Sequence, residues 1–247
     1  LAAALWVIGA TSVLAAGLML WLHRDQMRLA LSRFGADLAR GWHISRWSLL
    51  NVLGMIGTSQ AYPWLLAGLA STSDVAVFGA AMAMAGVMAP FLQAANAYVL
   101  PRMAHGYKDG DLATLERMLG RSMLGLAVPY GAWVLVGGAF ADPLMTLLYS
   151  DRYAGYAVVV WLLLVRGMVE AVAAPLNPAL QTLERTGVTT VALFVGSLVT
   201  VTAGWYATGR FGVAGAAAGA LLTTVATVAW KYWRFRRLVR ARASAGG

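Results

Sequence analysis

Sixteen of the nineteen Lys and Arg residues fall in or at the edges of alternate gaps between seven long apolar stretches, the C-terminal end counted as the last gap. A polytopic membrane protein has to show this pattern, because cytoplasmic loops retain Lys and Arg while external loops do not. The stretches are Ala2–Leu22, Ser48–Leu69, Val75–Leu100, Met118–Phe140, Tyr156–Leu180, Val188–Ala207 and Val213–Trp233. Each is about 20 residues or more, enough to cross a hydrocarbon core of roughly 30 Å. The runs are continuous rather than alternating, so helices are expected and barrel strands are not. The fold expected is therefore all-α, a polytopic membrane protein with seven transmembrane helices.

The basic residues also orient the chain. Five Arg lie in 24–46, four Lys or Arg in 102–121, Arg185 in the 184–187 turn, and six from Lys231 onward. If all seven runs span, these sixteen share one side. The N-terminus is then outside and the C-terminus cytoplasmic. The pI of about 10.4 has the same origin, so it gives no reason to expect a nucleic-acid partner. A juxtamembrane tail, residues 234–247, should meet anionic lipid headgroups together with Lys231. The chain has no Cys, and its three His, at 23, 43 and 105, have no metal-ligand spacing. No metal or cofactor is expected.

Residues 23–47 form the one long linker. Met27, Leu31, Phe34 and Leu38 recur at helical spacing, with Arg24, Arg28, Arg33 and Arg40 over much of the rest. That pattern predicts an amphipathic helix on the cytoplasmic leaflet. It divides the chain into residues 1–22, one helix of a preceding lobe, and 48–233, a lobe of six. The chain opens at Leu1 inside an apolar run, which suggests a partial chain. Small residues at Gly79, Ala83, Gly86 and Ala89, and from Gly215 to Gly219, predict close helix packing.

Ionisable groups at bilayer depth are costly and point to function. Arg166 lies ten residues into the fifth run, about 15 Å along its axis and near the midplane. At about 100° per residue, Glu170, Asn177 and Gln181 fall within about 60° of it on one helix face. Lipid would not tolerate that stripe, so it should face other helices or water. Two roles are open: a self-neutralising structural pair, or a cavity pair whose Arg meets an anionic substrate. Pro175 and Pro178 should bend the same helix. Gln93 and Asn96 on the third run are further candidates for cavity lining or for glue between helices. On the second run Asn51, Gly54, Thr58 and Tyr62 share a face, with Gln60 opposite. No phosphate-binding loop, metalloprotease or serine-hydrolase motif occurs, so an enzyme is not expected. A retinal-type receptor would need a Lys deep in the last helix, and Lys231 instead sits at its end among Trp230, Tyr232, Trp233 and Arg234.

Several short motifs follow one another in a recognisable order. Leu100-Pro101-Arg102 is followed by Gly110-Asp111 and Leu115, then by a long helix with Pro129. Next come Asp142-Pro143-Leu144, Leu147-Leu148-Tyr149 and Tyr153, and the last two runs are joined by Gly209-Arg210-Phe211-Gly212-Val213-Ala214-Gly215-Ala216-Ala217. Val75 to Gly79 resembles the opening of the second helix of a lobe. In this order the chain resembles the polysaccharide biosynthesis flippases, the O-antigen and capsule repeat-unit transporters of the multidrug/oligosaccharidyl-lipid/polysaccharide superfamily. The resemblance implies the C-terminal half of a two-lobed alternating-access transporter in a bacterial cytoplasmic membrane, with the N-terminal lobe of the same chain as its partner. The implied substrate is a saccharide on a lipid pyrophosphate, with Arg166 meeting phosphate. Arg166, Glu170, Asn177, Gln93, Asn96 and Gln60 are the expected cavity-lining residues. Two departures stand out. Ser59-Gln60 is followed by Ala61-Tyr62-Pro63 where the family often has a charged pair, and Ser197, Thr200 and Thr202 stand where it often has Asn. A drug exporter of the same superfamily and a non-transporting membrane scaffold are the alternatives.

Overall fold

In the computed structural model, residues 2–22, 42, 49, 52–55, 58, 60–107, 112–183 and 187–245 are described. Among them every regular element is helical. They form two compact units, Leu1–Ser48 and Leu49–Gly247. The first is represented by α1 (Ala2–Leu22), which is apolar apart from Thr11 and Ser12. The expected amphipathic linker, residues 23–47, lies outside the described residues except for Trp42.

The second unit contains α2 (Ala61–Leu69), α3 (Thr72–Gly86), α4 (Ala89–Gly106), α5 (Leu112–Ala139), α6 (Ala141–Leu148), a short 3-10 turn Asp151–Tyr153, α7 (Ala157–Ala173), α8 (Leu176–Thr182), α9 (Gly187–Val199), a π-helical segment Thr200–Gly204, and α10 (Trp205–Ala245). Three stretches are long and apolar enough to cross a membrane: Leu112–Ala139, Ala157–Thr182 and Gly187–Arg242. A fourth arises if α3 and α4 are taken as one span bent by 45°. The chain thus has helices of the kind a membrane protein needs.

The longest of these stretches is not one rod. Gly212, at φ 57° and ψ −133°, breaks α10 in a conformation open only to glycine. The chain folds back there. A Cβ on Gly215 would strike the Ala207 carbonyl oxygen, one on Gly219 would meet the Gly204 Cα at 3.0 Å, and one on Gly196 would strike the Thr227 hydroxyl. Thr200 Oγ1 lies 3.0 Å from Thr223 Oγ1. Each step back from Gly212 on one side is matched by a similar step forward on the other, which defines an antiparallel helical hairpin. The close packing expected at Gly215–Gly219 is therefore present, because small residues let the two backbones approach. The expectation fails at Gly79, Ala83, Gly86 and Ala89. All four are exposed, and a Cβ on Gly79 or Gly86 would meet nothing within 4 Å. Spacing alone cannot say which face of α3 turns inward.

At the centre lies α7, against α3, α5 and α10. Val160, Leu163 and Leu164 are completely or nearly completely buried there. The Trp161 ring covers Gly138, leaving no room for a side chain on α5 at that point. A second apolar cluster closes the other end of the bundle. In it Phe235 and Val239 of α10 pack with Met103, Leu115, Leu119, Leu176, Leu180 and Leu183. Residues 234–245, expected as a basic tail, are thus a continuation of α10 with one face buried. The apolar Phe235, Leu238, Val239 spacing provides that face.

Two apolar runs are interrupted. The third breaks at Val87–Met88, between α3 and α4, where the Tyr130 hydroxyl donates to the Met88 carbonyl at 3.0 Å. The fifth breaks at Ala174–Pro175, between α7 and α8, as Pro175 and Pro178 predict. The segment after Asp142 is ordered by its own side chain, whose Oδ1 accepts from the Gly155 amide at 3.1 Å.

Candidate functional site

A cavity of about 500 Å³ opens between these broken helices and the hairpin. Its charged lining residues are Arg166, Glu170 and Lys231. Helix α7 supplies the first two, one turn apart, so their side chains meet: Arg166 Nη2 lies 3.2 Å from a Glu170 carboxylate oxygen. Arg166 is held on two other sides as well. Its Nε donates to Thr224 Oγ1 at 3.2 Å across to α10, and its Nη1 to Met82 Sδ at 3.4 Å across to α3. The guanidinium is mostly buried, with 18% of the side chain exposed, whereas 58% of the Glu170 side chain is exposed. The carboxylate therefore rests on Arg166 from the open side and can be displaced without unpacking the core.

Lys231 approaches the same cavity from α10. Its ammonium donates to Asn177 Oδ1 at 3.1 Å, bringing α8 and α10 together beyond the Pro175 break. Among the described residues it makes no ion pair of its own. The three charges leave the lining with a surplus of one positive charge, and Glu170 is in contact with Arg166 rather than with the lysine.

Hydroxyl groups line the remaining polar wall. Tyr62 Oη lies 2.7 Å from Thr223 Oγ1, which in turn meets Thr200 Oγ1, and Thr200 also donates to the Gly196 carbonyl at 3.0 Å. Asn96 Oδ1 is buried with no hydrogen-bond partner among the described residues. A buried acceptor left unpaired costs free energy, and a ligand hydroxyl or N–H would relieve that cost. Apolar side chains, among them Val52, Met55, Phe78 and Leu92, complete the walls.

Of the residues picked from sequence, Arg166, Glu170, Asn177 and Asn96 share this cavity. Gln60 and Gln93 do not. Both are exposed outside the lining. Gln181 is also exposed and outside the lining. Asn51 lies outside the described residues, while Thr58 and Tyr62 of its predicted face do line the cavity. Sequence reasoning missed Lys231, Thr223 and Thr224. Lys231 reads as part of a basic run at a helix end, and only the packing of α10 turns it inward. Among the described residues no cluster of His, Asp and Glu could hold a metal ion. Comparison with protein-family models, with curated proteins and with solved structures found no match to this chain.

Proposed function

We propose that this chain is a lobe of a multi-pass transporter in a bacterial cytoplasmic membrane, carrying a lipid-linked saccharide across it by alternating access. Seven spans, with the N-terminal side of the first outside and the basic end of α10 cytoplasmic, match the distribution of Lys and Arg. The observation that carries the reading is the cavity itself: a mostly buried Arg at membrane depth, capped by an exposed and displaceable Glu, on a helix broken by Pro175. Discontinuous helices around a polar cavity are the usual construction of a transport site. The unpaired Asn96 acceptor and the threonine wall suit a hydroxylated ligand, and the surplus positive charge suits an anionic one. That charge speaks against a cationic drug as cargo. A scaffold with no cargo needs neither an open cavity nor an exposed carboxylate. The resemblance noted above points the same way and implies a second lobe as the opposing wall.

The test is export of lipid-linked saccharide in cells that depend on this protein. Arg166→Ala should abolish export with the protein still folded and membrane-inserted. Arg166→Lys should restore it only in part, since an ammonium lacks the bidentate fork. Normal export by Arg166→Ala, with Glu170→Ala merely lowering protein abundance, would make the pair structural.

A further inference from the structure

The transport reading assigns the anion to Arg166, but the charges in the cavity distribute otherwise. Arg166 already has a carboxylate at 3.2 Å, and two further donor contacts fix its guanidinium. An incoming anion must displace Glu170 before it gains anything there. Among the described residues Lys231 contacts only the neutral side-chain carbonyl of Asn177, at 3.1 Å. Glu170 acts on the lysine through space but not in contact, so an approaching anion breaks no contact ion pair there.

The two cations occupy different levels. Arg166 is tied to Thr224, and Lys231 lies seven residues further along the same helix. Seven residues are about 10 Å of helix axis. Glu170 follows Arg166 by one turn, towards Asn177 and Lys231. The cavity thus holds two anion positions in series, one open at Lys231 and one blocked by Glu170 at Arg166.

We propose that Lys231 is the primary anion anchor of the cavity and Arg166 a second, conditional one, so that the site selects a head with two linked phosphoryl groups over a head with one. The first phosphoryl group binds the ammonium that Asn177 positions. The second reaches Arg166 and displaces Glu170 towards the open side. This rests on the transport reading for the kind of ligand, but not for the order of the two cations.

The experiment is binding to the full chain in lipid nanodiscs, using a polyprenyl diphosphate and the polyprenyl monophosphate of equal chain length as probes. The wild type should prefer the diphosphate at least tenfold. Lys231→Met should weaken both probes tenfold or more, and Lys231→Arg should recover most of the loss. Arg166→Met should weaken the diphosphate alone and erase the preference. Unchanged thermal unfolding of each variant separates loss of binding from loss of fold. If Lys231→Met binds both probes as the wild type does, Lys231 only bridges α8 and α10, and the inference is wrong while the Arg166 site stands. Equal affinity of the wild type for the two probes overturns the two-anchor arrangement. If the wild type binds neither probe, the phosphoryl-lipid reading falls with it.

Discussion

A single ring, Tyr62, shows how tightly residues control the bundle. It stacks at 6.4 Å on Phe78, and its hydroxyl meets Thr223. Both glycines beneath it are needed, since a Cβ on Gly219 would come within 2.9 Å of the ring and one on Gly204 within 2.6 Å of the hydroxyl. Two substitutions should therefore behave differently. Tyr62→Phe leaves Thr223 paired with Thr200 and should cost only about 1 kcal/mol, as single hydrogen bonds in membrane proteins do. Gly219→Val inserts atoms against backbone as well as ring and should cost about 1–3 kcal/mol or more. Thermal unfolding in detergent ranks the two, and equal costs would show that the hairpin can shift to make room. The Arg166–Glu170 pair was legible in the sequence, because two residues four apart on one helix must be neighbours. The role of Lys231 was not, since its environment is made by α8, fifty residues away in sequence.

At the scale of elements, the turn at Gly212 and the basic end of α10 carry the clearest consequences. Gly212→Val forces a side chain into a positive-φ conformation and should destabilise by about 1–3 kcal/mol. Gly209→Ala, where a Cβ meets nothing, is the control. From Val213 to Ala245 the helix runs about 50 Å, beyond the roughly 30 Å of a hydrocarbon core. Its last turns are bolted down by completely buried Phe235, while Tyr232, Trp233, Arg236, Arg237 and Arg240 line a groove on the other side. Arg237 lies 4.4 Å over the Trp233 ring, and Arg236 contacts Glu116 at 3.3 Å. A fixed basic face with aromatic rings suits anionic headgroups. Replacing Arg237 and Arg240 by Gln should weaken association with anionic lipid by about 1 kcal/mol per residue. The readout is lipid co-purification from membranes of mixed charge, and equal retention by the variant would reject the site. Phe235→Ala should instead lower stability, by about 3–5 kcal/mol if the cavity it leaves stays open.

For the whole molecule, the alternation of basic gaps makes a topological prediction. Cysteines placed at Ser73, exposed at the start of α3, and at the exposed Ser150 after α6 should be labelled from outside the cell. A cysteine at Arg240 should be labelled only after permeabilisation. Labelling of Ser73 or Ser150 solely from the cytoplasmic side would invert the orientation. That result would also turn the cavity's Lys231 end towards the outside, so it bears on the direction of transport as well as on topology.

Composition and hydrophobic run length were enough to determine helices of membrane-spanning length, since lipid leaves the backbone few other ways to satisfy its hydrogen bonds. The break at Pro175 and the charged pair on α7 were equally legible, because both depend only on local chain geometry. Which faces turn inward was decided by tertiary packing. Small residues on α3 that read as an interface lie exposed, while Lys231, which read as a headgroup anchor, donates to Asn177 inside the cavity. In an apolar solvent every face of a helix can be hydrophobic, so periodicity loses its power to distinguish inside from outside. Close contacts between partners distant in the chain make that choice instead.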